Sequence, residues 1–170
     1  MEENTDNKIE FKDRLILIYK ENRFKFYLIL TIIVLIIISF SFFNIYKEKK
    51  NNLIAEKFIQ AGINLANNNL ETSQKIFEEI IYSENKFYAI LSLNTILDKN
   101  LVKDNGKILE YFDKVEKINK SNENTDLIMF KKALYFLKIG NQEEGKKLLS
   151  ILSSKENSKY KKIAKEIIFN

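Results

Sequence analysis

Apolar residues are distributed along this chain in two distinct ways. From Phe26 to Tyr46 no charged side chain interrupts FYLILTIIVLIIISFSFFNIY. Those 21 residues, at about 1.5 Å rise each, give a helix of about 31 Å, close to the hydrocarbon thickness of a bilayer. Beyond Tyr46 the apolar positions recur at three- and four-residue spacing between short polar breaks, the pattern of amphipathic helices. The spacing predicts helices over 47–67, 70–83, 86–99, 104–119, 125–139, 142–153 and 157–169, and no segment alternates as a strand does. The breaks are Asn67-Asn68-Asn69, Ser83-Glu84-Asn85, Asn100 to Asn105, Ser121 to Asn124, Gly140-Asn141 and Glu156-Asn157. Asn and Ser suit such places because their side chains accept orphan N–H groups at helix starts. Asn141 followed by Glu144 approximates a capping box.

The uniformly apolar run reads as a transmembrane helix. Aromatic residues gather at its two ends, Phe24, Phe26 and Tyr27 on one side and Phe40, Phe42, Phe43 and Tyr46 on the other, like interfacial belts. Charges resume at once outside, at Arg23 and Lys25 and at Lys47, Glu48, Lys49 and Lys50. The run is too long for a cleaved leader and no A-x-A-like site follows it, so an uncleaved signal-anchor is expected. Basic flanks number five before it (Lys12, Arg14, Lys20, Arg23, Lys25) and four after it (Lys47, Lys49, Lys50, Lys57), a difference that barely favours a cytoplasmic N-terminus. Ahead of the anchor, Phe11, Leu15, Ile18 and Tyr19 share a helical face within Ile9 to Tyr19, with Lys12, Asp13 and Lys20 off it. A short amphipathic juxtamembrane helix is expected there, lying on the membrane surface or against a partner.

The helical part carries a repeat. In Asp126 to Ser153, Met129, Ala133, Phe136, Gly140, Gly145, Leu149 and Leu152 follow one another at intervals of 4, 3, 4, 5, 4 and 3. This reproduces the tetratricopeptide alternation of large, small and aromatic positions about a turn glycine. Small residues at Ala133 and Gly145 let two antiparallel helices approach closely, while Phe136 and Leu149 fill the space beside them. Weaker copies are Ser73, Phe77, Ile80 and Ile108, Phe112, Val115, whose starts lie 35 and 37 residues before the next. Tyr160, Ile163, Ala164, Ile167 and Ile168 then read as a terminal covering helix. The expected architecture is all-α. It comprises a cytoplasmic juxtamembrane segment (1–25), a transmembrane helix (26–46) and tetratricopeptide-like hairpins stacked as an α-solenoid (47–170).

Composition narrows the chemistry. The chain has no Cys and no His, so it lacks disulfides, thiolate nucleophiles and the commonest general base and metal ligand. The net charge of +5 lies wholly beyond the anchor, because residues 1–25 carry six basic and six acidic side chains. The surplus lysines are dispersed among glutamates, which argues against a nucleic-acid footprint. The carboxylate pairs Glu78-Glu79 and Glu143-Glu144 fall on helix surfaces, and Gly62, Gly106, Gly140 and Gly145 form no phosphate-binding loop. No catalytic constellation, metal site, cofactor or small-molecule substrate is expected.

An anchor followed by degenerate helical hairpins resembles the bacterial ancillary SecYEG translocon subunit family (YfgM-like). FKDRLILIYKENRFKFYLIL resembles that family's amphipathic lead-in to the anchor. Lys86-Phe87-Tyr88-Ala89-Ile90-Leu91-Ser92-Leu93 resembles its Y-x-x-L-A-x-L helix, with Ser92 at a position usually held by Ala. Gly140-Asn141-x-x-x-Gly145 resembles its G-D-x-x-x-A turn. The resemblance implies an inner-membrane protein with a cytoplasmic N-terminus and a periplasmic helical domain. It further implies Sec translocon, periplasmic chaperone and nascent secreted chains as partners.

Repeat geometry puts the first helix of each hairpin on the concave side. That nominates Phe130, Leu134, Leu137 and Lys138 in the clearest repeat and Phe58, Gly62 and Leu65 in the first as a protein-binding surface, each weighed against a plain core role. The function expected is a non-catalytic interaction module accessory to secretion. A membrane-tethered assembly factor for envelope or cytochrome biogenesis is the alternative, and an enzyme the remote one.

Overall fold

The computed structural model describes residues 11, 13–16, 18–120 and 124–169. Ile9 and Lys12 of the expected juxtamembrane helix, and 121–123 of the fourth expected break, lie outside the described residues. Among the described residues every regular element is a helix. The elements are α1 (Arg23–Ala66), α2 (Leu70–Tyr82), α3 (Lys86–Asp98), α4 (Asn105–Asn119), α5 (Thr125–Lys138), α6 (Gln142–Ser154) and α7 (Lys161–Phe169). A further helical stretch ends at Glu21, and the single turn residue Asn22 separates it from α1. The chain divides into two compact units, Met1–Lys50 and Asn51–Asn170, and α1 contributes residues to both.

In the first unit Phe26 to Tyr46 is helical throughout, and every side chain in it is exposed. A core helix of a water-soluble domain would be covered, so α1 is a candidate membrane span. Thr31 and Ser41 turn their hydroxyls back onto the Tyr27 and Ile37 carbonyls at 2.8 and 3.0 Å, which satisfies those two donors within the helix. The charges that resume at Lys47 do not end the helix. It continues to Ala66, because side-chain polarity can change without breaking the backbone ladder.

The second unit begins as α1 turns amphipathic and buries Ile54 and Ala61. Its connections repeat one device. Asn68, Asn100 and Gly140 have φ of 61°, 52° and 85°. In each case the next residue's N–H reaches back five positions, Asn69 to Asn64 at 2.8 Å, Leu101 to Ile96 at 3.0 Å and Asn141 to Phe136 at 2.9 Å. These bonds satisfy the last carbonyls of α1, α3 and α5 in the same left-handed cap. At helix starts, Asn85 accepts from the Tyr88 N–H (3.0 Å), Asp104 from Gly106 and Lys107 (2.8 and 3.2 Å) and Asn141 from Glu144 (3.2 Å). Glu144 itself pairs with Lys147, so the reciprocal half of the capping box is replaced by the Phe136 carbonyl. The last helix begins at Lys161, four residues later than the spacing predicted, after a turn in which the Tyr160 N–H donates to the Ser158 hydroxyl.

Two apolar cores result. The first gathers Ile54, Ala61, Phe77, Ile80, Ala89, Leu93, Ile96, Ile108, Tyr111, Phe112 and Val115, with Ile128 and Tyr135 from α5. The second holds Ala133, Leu149, Leu152 and Ala164, with Met129, Phe130 and Leu137 packed against it. α5 therefore serves both, through positions 128 and 135 on one face and 129, 133 and 137 on the other. The repeat positions Ser73, Phe77, Ile80, Ile108, Phe112 and Val115 are all buried. At Gly145 a Cβ would sit 2.5 Å from Leu137 Cδ2 and 3.1 Å from the Ala133 carbonyl oxygen, so α5 and α6 touch where the sequence is smallest.

Candidate protein-binding surface

Pairings across the helices fix how their outer faces are disposed. Lys57 bonds Glu79 at 2.6 Å and Ser73 Oγ donates to the Ala61 carbonyl at 2.9 Å, so the end of α1 runs antiparallel to α2. Asp126 meets Lys155 at 2.6 Å while Ala133 meets Gly145, which makes α5 and α6 antiparallel as well. Alternate helices run the same way. Asn51 pairs with Asn85 and Phe58 packs at a tilt against Tyr88, ordering α1 with α3. Glu78 pairs with Lys107 and Tyr82 with Glu110, ordering α2 with α4.

The second helices carry a charged seam. Lys107 reaches Glu78 at 2.7 Å and lies over the Tyr111 ring, Gln74 donates to Glu78 at 2.8 Å, and the Tyr82 hydroxyl donates to Glu110 at 2.5 Å. Burial would raise the Glu78 carboxyl, but the Lys107 and Gln74 hydrogen bonds outweigh it and hold the group below the usual range. Burial and the Glu110 carboxylate push the Tyr82 phenol up to about 12. Burial and Glu78 push the Tyr111 phenol higher still. On the neighbouring α4–α5 contact, Lys132 joins Asp113 and Glu116, each at 2.7 Å. Burial works against its charge, yet the two carboxylates prevail and raise its pKa.

Apolar side chains are also left outside the cores. Ile59 (62% exposed) and Ile63 (56%) on α1, Phe87 (61%) on α3 and Leu134 (38%) on α5 face outward. Of the seven nominated residues, Gly62 is exposed with no neighbour within 4 Å of a Cβ, and Leu134 and Lys138 are exposed. Phe58 packs its ring against Phe77 and Tyr88, both at 5.5 Å, and Leu65 packs on the same core. Phe130 stacks on Tyr160 at 4.9 Å, and Leu137 lies against Gly145 in the second core. Leu53 on α1, Leu70 on α2 and Ile151 on α6 are exposed as well, and of the nominated apolar side chains Leu134 is the one that belongs to this outward set. The exposed neighbours Ile59 and Ile63 lie one position after Phe58 and Gly62, and the excess of apolar residues on that turn of α1 was the available signal.

Among the described residues no three acidic side chains gather as a metal site. No protein-family profile matches this chain, and neither a curated protein nor a solved structure matches it.

Proposed function

We propose that this chain is a membrane-anchored, non-catalytic protein-binding module with a tetratricopeptide-like solenoid domain. In this reading it sits beside the Sec translocon and periplasmic chaperones and engages secreted polypeptides, with its N-terminus cytoplasmic and its helical domain periplasmic. The observation that carries it is the set of apolar side chains left uncovered outside the two cores of the helical unit. Ile59 and Ile63 on α1, Phe87 on α3 and Leu134 on α5 are exposed, and Leu70 on α2 and Ile151 on α6 are further exposed apolar positions. Parallel running of alternate helices and the recurring left-handed cap support a stack of like hairpins, which offers a continuous surface to an extended or helical partner.

Magnitudes favour a transient contact. Covering four half-exposed side chains contributes about 4–6 kcal/mol, at the low end of the roughly 4–15 kcal/mol that association costs. Confinement by the anchor compensates by raising the effective concentration near polypeptides at the membrane. Photo-crosslinking from Phe87 and Leu134 tests the reading. Adducts should contain translocon components or secreted chains, and adducts containing neither overturn it. Protease added to spheroplasts should digest residues 51–170, and their protection would overturn the periplasmic assignment.

A further inference from the structure

One cavity of the helical unit is unlike the rest of its surface. It measures about 110 Å³ and is walled by Leu97, Val102, Ile108, Tyr135 and Ile139, with Asn100, Lys103, Asn105 and Lys138 also lining it. It lies where the turn after α3 and the end of α5 converge. Several carboxylates of this unit are already engaged by other lysines, as in Lys57–Glu79, Lys107–Glu78, Lys132–Glu116 and Lys155–Asp126. Lys103 and Lys138 make no ion pair among the described residues, and both are exposed, so their ammonium groups are free to turn inward. The Tyr135 hydroxyl donates to Asn105 Oδ1 at 2.7 Å, which commits that oxygen and leaves the Asn105 amide nitrogen as a further donor. Asp104, next in sequence to Lys103, brings a carboxylate to this turn, and its Oδ1 accepts the Gly106 and Lys107 N–H groups. Around the cavity two lysines therefore stand against one carboxylate, a local excess of positive charge.

We propose that this cavity is an anion site that takes a carboxylate group of a bound polypeptide, either a chain terminus or an acidic side chain. The inference rests on the protein-binding reading above and names a chemical feature of the partner. Size supports it, since the cavity holds a carboxylate and excludes a nucleotide. Donor type favours carboxylate over phosphate. Phosphate sites are commonly built from free backbone N–H groups at a helix start, and Asp104 has capped the start of α4. Two lysine point donors match the two oxygens of a carboxylate, in charge-assisted hydrogen bonds of the stronger kind.

The test uses the full chain in nanodiscs of neutral lipid and fluorescent peptides of alanine, serine and leucine. One peptide ends in a free carboxylate, one is amidated, and one is amidated with a single internal glutamate. At least one carboxylate-bearing peptide should bind about tenfold more tightly than the neutral one, and the stronger of the two identifies the source. The double substitution Lys103→Gln with Lys138→Gln should abolish that difference while leaving the thermal transition in place. Lys162→Gln with Lys165→Gln removes equal charge from α7 and should preserve it. Equal binding of charged and neutral peptides overturns this inference and leaves the protein-binding reading standing. Absence of binding by all three overturns both. An equal loss in the α7 control, or stronger competition by inorganic phosphate than by acetate, also overturns the carboxylate assignment.

Discussion

Gly145 and Gly62 are both helical glycines, and replacing each with alanine should move stability in opposite directions. At Gly62, on the exposed side of α1, nothing lies within 4 Å of a new Cβ. The substitution there gains the intrinsic difference between the two residues, about 0.8–1 kcal/mol, partly by restricting the unfolded chain. Gly145→Ala carries the same intrinsic gain, but its methyl group arrives 2.5 Å from Leu137 Cδ2, 2.8 Å from Leu137 Cγ and 3.1 Å from the Ala133 carbonyl. Leu137 packs against the second core and the carbonyl belongs to the α5 ladder, so relieving the contact displaces packed neighbours. Overpacking of this kind costs about 1–3 kcal/mol, so the net effect is a loss of about 0–2 kcal/mol. The propensity term cancels between the variants, leaving a separation of about 1–3 kcal/mol set by packing alone. For a unit of 120 residues (Asn51–Asn170) that is about 4–12 °C in midpoint. Thermal scans by circular dichroism in detergent would read it, with hydrogen exchange of α5 and α6 locating the change. Equal shifts in the same direction for both variants would show that α5 and α6 do not approach at Gly145, and the packing account of the repeat would fail.

Three further outcomes are expected. Lys132→Ala strands Asp113 and Glu116 beside a mostly buried site and should cost about 1–3 kcal/mol, with a double-mutant cycle against Glu116→Gln recovering a coupling; strict additivity would refute the pairing. Glu78 and Asp126 have lowered folded pKa values, so their stabilisation is complete above the ordinary 4.5 and 3.8 and is lost as pH falls through the lower folded values. Acid titration of the unfolding midpoint should therefore decline below about pH 4, and Glu78→Gln with Asp126→Asn should flatten that limb. Tyrosinate absorbance on alkaline titration should show Tyr82 ionising near 12 and Tyr111 only on unfolding, whereas early ionisation of both in the folded chain would contradict the seam.

Periodicity located the helices because each bears one dominant apolar stripe. The bounds of α2, α3, α4, α5 and α6 fall within a residue of the spacing. It was silent on continuity across Lys47 to Asn52, since a change from apolar to polar composition looks the same whether or not the backbone breaks there. α7 starts late because Ser158 and Tyr160 satisfy a turn, a local competition that an apolar spacing does not register. The outer surface was harder to read for a related reason. Phe58 and Ile59 are adjacent and both apolar, and only the neighbours Phe77 and Tyr88 decide that the aromatic ring turns inward. The cavity between Lys103 and Lys138 joins residues 35 positions apart in sequence and has no local signature.

The double role of α5 bears on the order in which this chain can assemble. A polypeptide delivered N-terminus first presents α1 to α4 before α5 exists, and their core remains open at the place that Ile128 and Tyr135 fill. Arrival of α5 closes it, and the opposite face of the same helix, with Ala133 at its centre, is then the template on which α6 and α7 settle. Growth by successive docking keeps each unfinished intermediate short of only one neighbour. A chain emerging through a narrow exit could thus fold in step with its own delivery.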